Sequence, residues 1–407
     1  MDWYKFEIGG GWTLRDFIYE KNYIEGLSLS GEEKIRTNKI LYIPEVVPDN
    51  KISNYEELKK VTSIEWYAFS DLGLTEVHLP DTITEIDRGA FSNNNLTKIR
   101  LPQSLEVIKQ MAFLNNQIDS IEFPKTLKII GEESFKNNKI KDVFIPDNVL
   151  EIDSRAFENN EIEKVRISNS LEFLTCGVFS SNNLKTITIP NKIRFIVTNA
   201  FKNNLLESIT IPENVQGIFG DPFVGNKIKK INLETKELNI DDGFLKNNDV
   251  KEVKFKCSLS NFLKAFKEED RHLIVESKIE SLDLSNNDYI DEESVKDIGR
   301  NFKFLKKINL DGCKNLKKIP DYTFKGLKLE SIVLPIGLVE IGCSSFSCNK
   351  IKKLTIPLSV KIIGENAFKE NPIKELNING SLTTLKPKAF PETKAVEDAL
   401  FRSAIKM

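Results

Sequence analysis

The sequence predicts an α/β repeat solenoid, built mostly from short strands and turns with few helices. Three observations carry that expectation. First, Phe69, Phe91, Phe113, Phe135, Phe157, Phe179, Phe201 and Phe223 stand 22 residues apart, and Phe324, Phe346, Phe368 and Phe390 repeat the step. Phe244 slips by one and Phe266 resumes the interval. Second, prolines keep the same step ahead of the phenylalanines (Pro80, Pro102, Pro124, Pro146, Pro190, Pro212, Pro335, Pro357), interrupted at Ser168 and Glu234. Third, asparagines keep it just behind them (Asn94, Asn116, Asn138, Asn160, Asn182, Asn204, Asn226, Asn247, Asn349, Asn371). A fixed period of about 20–50 residues marks stacked units, none of which buries its apolar side alone.

Residues 1–57 lack the period and are expected to cap the first repeat, with strands at Ile24–Leu29 and Lys39–Pro44. A bare solenoid end would expose its apolar core. Residues 58–255 are the regular 22-residue run. In the unit Leu96–Asn116, Ile99, Arg100 and Leu101 alternate as a half-buried strand does. Pro102 ends that strand because it has no N–H for a ladder. Leu105 and Ile108 return inward through a second short extended segment or turn. Gln110–Phe113 reads as a helical turn that drops Phe113 into the core, with small Ala112 in the bend. Asn115 and Asn116 then turn the chain, since Asn tolerates left-handed backbone and its amide caps neighbouring groups. Residues 256–304 are irregular: Ser260–Ile274 and Asp291–Leu305 read as helical, the second with acids in its first turn. Residues 305–390 resume the period. Residues 391–407 read as a capping helix with Val396, Leu400 and Ala404 at helical spacing.

The chain has 407 residues, 40% apolar and 29% charged, with 58 basic and 60 acidic residues and a formal net charge of −2. This is the composition of a folded, soluble chain. It offers no global field to recruit nucleic acid or an anionic membrane. No apolar run approaches the roughly 18–20 residues that span a bilayer, so membrane insertion is not expected. The start, Met1–Leu14, has no basic head followed by an apolar stretch, so no signal peptide is expected in it. A cell-surface or secreted protein would then have had its signal removed; otherwise the expected location is cytoplasmic. Cys176, Cys257, Cys313, Cys343 and Cys348 form an odd, scattered set without CxxC, and reduced thiols are expected. Only His78 and His272 are present. With no nucleophile–base pair and no metal cluster, neither enzyme activity nor a metal or cofactor is expected.

Ile279–Asn287 reads IESLDLSNN and Leu305–Cys313 reads LKKINLDGC, both fitting L-x-x-L-x-L-x-x-N/C. The 22-residue units add L-x-x-I-x-[LI]-P, an aliphatic pair, A-F and N-N. In these motifs the chain resembles the Treponema-type, or BspA-like, leucine-rich repeats, across about residues 60–255 and 305–390. The resemblance implies a right-handed, curved superhelix with a parallel β-sheet on its concave face and short strands and turns on the convex side. It also implies protein recognition, as in bacterial cell-surface adhesion to host or matrix proteins, and no catalytic residues. The alternative is an intracellular scaffold or effector that binds a cytoplasmic protein. No small-molecule substrate is expected.

Strands in register would place the variable outward residues in two columns: Glu76/His78, Lys98/Arg100, Ser120/Glu122, Asp142/Phe144, Lys164/Arg166, Thr186/Thr188, Ser208/Thr210 and Lys230/Asn232. Variable residues on a rigid sheet are where solenoids recognise partners. Phe144, between Lys98/Arg100 and Lys164/Arg166, has the composition of a binding hot spot, although single exposed apolar residues are ordinary. Basic pairs around an aromatic would also suit nucleic acid, but Glu122 and Asp142 stand in the same columns and argue against it. The charges are otherwise a solvated sheet face. Cys313 occupies the N/C place of its repeat, which predicts a ladder role rather than a reactive thiol. Cys343 and Cys348 are expected near surface turns, and two thiols do not make a metal site. Gly9–Trp12 lacks the context of a phosphate loop. Asp283–Asp288 only loosely follows calcium-loop spacing, and Ser285–Asn287 already belong to the repeat.

Overall fold

The structure, a computed structural model, describes residues 7–48, 58–241, 244–245, 247–264, 267–268, 271–274 and 278–404. Phe266 lies outside the described residues. The chain divides into two units, one made of Met1–Leu206 with Phe219–Asn226 and the other of Glu207–Ile218 with Lys227–Met407.

In the first unit each 22-residue step is one turn of a parallel-strand solenoid. The interior alternation comes out as predicted: Ile99 and Leu101 are buried while Lys98 and Arg100 are exposed. Leu105 and Ile108 are fully buried. Their segment is a true second sheet, in which Ser63–Ile64, Glu85–Ile86, Val107–Ile108, Ile129–Ile130 and Glu151–Ile152 pair in parallel and in register. The first sheet is the less continuous of the two. Ile40–Tyr42 pairs with Glu76–His78, and Asp142–Phe144 with Lys164–Arg166, but Lys98 and Ser120 meet only as an isolated bridge. Strands this short make few ladder bonds each, and backbone bonds at the corners, such as Gln117 N–H to the Leu96 carbonyl at 2.9 Å, join the turns beside them. Pro102 closes a tight corner between the sheets, its carbonyl accepting from Leu105 N–H at 3.1 Å. Pro80, Pro124 and Pro146 do the same.

The third side corrects the helical turn expected at Gln110–Phe113. Met111 has φ +59° and Asn115 φ +56°, left-handed conformations that a helix excludes. The N–H groups of Met111, Phe113 and Asn115 instead donate to the carbonyls of Glu132, Ser134 and Lys136 one turn on. This bend aims Phe113 inward. Rings Phe69 to Phe223 stack face to face with centroids 5.3–5.8 Å apart, and every one of them is fully buried.

The Asn–Asn pair divides its labour. The first Asn takes the left-handed turn (Asn93, Asn115, Asn137 and Asn159, φ +56° to +58°), and these amides join in an outer chain with Nδ2–Oδ1 distances of 2.6–2.7 Å. The second Asn is buried. Asn138 Oδ1 accepts from Ile118 N–H at 3.0 Å, while its Nδ2 donates to the Phe113 and Phe135 carbonyls at 2.9 and 3.1 Å. Asn116, Asn160, Asn182 and Asn204 repeat this geometry.

At the N-terminal end, Tyr23–Leu27 pairs in parallel with Ser63–Ile64. Helix α1 (Leu29–Thr37) follows, with Ser28 as N-cap. Trp12, fully buried, donates its indole N–H to the Ile40 carbonyl. Phe17 touches both Trp12 and, edge-on, Phe69, the first ring of the stack. The Gly9–Trp12 run is the turn of a hairpin, with Gly10 and Gly11 at φ +55° and +80°.

In the second unit, Ser208–Ile211, Lys230–Leu233, Glu252–Phe255, Ser281–Asp283, Lys307–Asn309 and Ser331–Val333 form one parallel sheet. Rings Phe324, Phe346, Phe368 and Phe390 stack 5.1–5.3 Å apart. The slip at Phe244 moves one expectation. Asn248, not Asn247, accepts from Ile228 N–H at 3.0 Å, and Asn247 takes the left-handed place at φ +59°. The hydrogen-bond period thus stays at 22, and Phe244 and Leu245 are both buried. Of the helix expected at Ser260–Ile274, the described residues form only α2 (Leu259–Lys264); Lys267–Glu268 and Arg271–Ile274 pair as an antiparallel hairpin. Helix α3 (Glu292–Asn301) is as expected, capped by Asp291, which accepts from Ser294 N–H. Helix α4 (Lys394–Ala404) buries Val396 and Ala399 and half-buries Leu400.

Candidate interaction face of the first sheet

The outward columns of the first unit stand side by side on its first sheet. In them Asp142, Val143 and Phe144 face Lys164, Val165 and Arg166 in register. Lys98, Arg100, Glu122, Asp142, Phe144, Lys164 and Arg166 line a cleft of about 880 Å³. Phe144 is 61% exposed. Thr188 is exposed on the same unit, whereas Thr210 belongs to the second unit.

The two arginines have partners that the column pattern did not reveal. Arg166 Nη2 lies 2.7 Å from Asp147 Oδ2 and its Nη1 donates to the Ile145 carbonyl at 2.9 Å. Its guanidinium sits 4.7 Å from the Phe144 ring centroid, within cation–π range. Arg100 repeats the contact, 2.9 Å from Asp81. Each aspartate also accepts the backbone N–H one turn on, Asp147 from Asn169 and Asp81 from Gln103. These are clamps between consecutive turns. The signal was in the sequence: an aspartate after the corner proline and an arginine 19 residues later, in both cases. Glu76 and His78 are likewise engaged, 2.9 Å from each other, with His78 stacked on Tyr42.

The Arg166 guanidinium, followed by the Asn169 N–H, holds the Asp147 carboxyl down from 3.8 to about 2. A depressed carboxylate contributes stability above its unfolded pKa and loses it as pH falls through the folded one. Asp147→Asn should therefore lower the melting temperature at neutral pH. The gap to the parent chain should close between about pH 4 and pH 2, as thermal melts across that range would show. A gap independent of pH would mean that the charge is not what the clamp uses.

Lys98, Glu122, Asp142 and Lys164 have no ion-pair partner among the described residues. The equivalent face of the second unit differs. There Lys230 pairs with Glu252, Lys254 with Asp283 and Lys353 with Glu375 across adjacent turns, leaving Lys307.

Cys313 is fully buried, donates to the Leu284 carbonyl at 3.1 Å, and burial pushes its thiol up to about 11. Cys343 is half-buried and Cys348 exposed at a left-handed corner. Asn287, buried, donates to the Phe255 and Cys257 carbonyls. Among the described residues there is no cluster of three or more metal-ligating side chains, and no helix is long and apolar enough to cross a membrane.

Residues 49–163, 151–270 and 276–405 match the BspA type leucine rich repeat region, in six copies. No curated protein matches the sequence. Among solved structures, a leucine-rich repeat protein from Bacteroides ovatus is similar at 23% identity, over 93% of this chain and 91% of that one, with a TM-score of 0.49. A leucine rich cell surface protein from Faecalibacterium prausnitzii shares 19% identity over 94% of each chain, with a TM-score of 0.35. The leucine rich repeat protein of T. pallidum shares 21% over 51% of this chain and 84% of that one, with a TM-score of 0.33. Family and fold are those of repeat proteins that are generally non-catalytic, a setting consistent with protein interaction. The chain belongs to the BspA-type leucine-rich-repeat family.

Proposed function

We propose that the chain is a non-enzymatic protein-recognition solenoid whose partner docks on the first-sheet face of the first unit. The observation that carries this reading is the contrast in pairing. Lys98, Glu122, Asp142 and Lys164 stand unpaired around an exposed Phe144, while the same face of the second unit neutralises most of its charges internally. Unpaired charges around an aromatic anchor steer and orient a partner. Arg100 and Arg166 hold the turns and the ring in place.

Lys98→Glu with Lys164→Glu should reduce capture of the native partner at least about fivefold in cross-linked pull-downs. Far-UV circular dichroism should not change, and Lys230→Glu with Lys353→Glu should have little effect. Equal capture by both double variants would move the site off this face.

Bacterial cell-surface adhesion to host or matrix proteins is the setting we infer from the family. Protease treatment of intact source cells tests it: the protein should be degraded without lysis. An intracellular scaffold is the second reading, favoured by five free cysteines, one of them exposed, since thiols persist in reducing compartments. Protection until lysis would select it.

A further inference from the structure

The unpaired charges have an order. Over four consecutive turns Lys98, Asp142 and Lys164 stand in one column and Glu122 in the other, beside Phe144, so the charges are positive at both ends and negative between. Neighbouring strands in a sheet lie about 4.8 Å apart, so the backbones that carry the two lysines are separated by roughly 14 Å. An extended chain advances about 3.3 Å per residue, so roughly four residues cover that span. Residues i, i+2 and i+4 of an extended segment share one face. Two carboxylates at i and i+4 would therefore meet Lys98 and Lys164. The residue at i+2 would lie over Glu122 and Asp142, beside Phe144.

Arginine suits that central place on three counts. Its fork of N–H donors can bridge two carboxylates. Its flat guanidinium stacks on an aromatic ring. Arg166 already makes such a contact on Phe144, at 4.7 Å, and the ring remains 61% exposed. We propose that this face takes an extended acid-x-arginine-x-acid segment of the partner, lying across the strands. The proposal rests on the recognition reading above and adds the chemistry of what is recognised. Charge complementarity favours this segment over an anionic polymer, which would meet Glu122 and Asp142 head-on.

The test uses the full chain and a blocked pentapeptide of glutamate, serine, arginine, serine and glutamate, followed by saturation-transfer NMR. The expected result is transfer centred on the arginine methylenes and binding that weakens with salt. Lys98→Ala with Lys164→Ala should weaken it about fivefold. The charge-inverted peptide (lysine, serine, glutamate, serine, lysine) should not bind. Equal binding of the inverted peptide, indifference to the double substitution, or no binding of the first peptide would each overturn the proposal. The pull-down with native partner is scored separately. If it still depends on Lys98 and Lys164 while the peptide fails, only the segment chemistry falls.

Discussion

Phe157→Ala is expected to destabilise the first unit by about 3–5 kcal/mol, the cost of removing a large buried ring that cannot be refilled. The ring is fully buried between Phe135 and Phe179, each 5.6 Å away, and Phe123 meets it edge-on at 6.1 Å. Its loss removes two stacked contacts as well as apolar burial. In a solenoid each turn touches only its neighbours, so the damage should stay local. Chemical denaturation should show the first unit's transition moving to lower denaturant. A shift worth less than about 1 kcal/mol would be incompatible with a continuous ring stack.

That stack was legible in the sequence because it is periodic. Identical residues 22 apart must occupy identical places, and the structure puts them there. Periodicity says less about how a single place is used. The Asn–Asn pair looked like one turn signal with two roles, yet one amide serves the exposed left-handed corner and the other the buried backbone. At Phe244 the ring shifts by one while the hydrogen-bond period does not, and only the backbone partner of Asn248 shows which column is dominant. The helical turn at Gln110–Phe113 was misread for a related reason: left-handed φ at Met111 leaves no mark in the residue type. On the candidate face, column positions followed from alternation alone. The engagement of Arg100 and Arg166 did not, because their aspartates lie on a corner outside the columns. It is the clamps that separate structural arginines from the free lysines, and so sharpen which side chains a partner can meet.

Asn138 offers the second large effect, and it separates the two asparagines by experiment. Asn138→Ala should destabilise the first unit by about 3–5 kcal/mol. It strands the Ile118 N–H, at about 1–3 kcal/mol for a buried backbone group left unpaired, and takes one of two amide donors from each of the Phe113 and Phe135 carbonyls, at about 1 kcal/mol per lost bond, while Asn116 and Asn160 still donate there. Asn138→Asp should be no milder at neutral pH despite its matching shape, because a carboxylate would face those two carbonyl oxygens. That burial raises the folded pKa of the new acid. Its penalty should therefore shrink as pH falls from that raised value and be gone below the unfolded value near 3.9, where the protonated form can again donate. Asn137 sits next to it in sequence but is half-buried at the outer corner, with φ +58°. Asn137→Gly should change stability by no more than about 0.5 kcal/mol, since glycine accepts that conformation freely and only one outer amide contact is broken at each side. Equal losses at both positions, in the same denaturation series, would mean that the outer chain of amides carries the turns as much as the buried one. A loss confined to Asn138 would show that the solenoid is held by backbone groups satisfied from inside, with the outer asparagines chosen for the corner they permit.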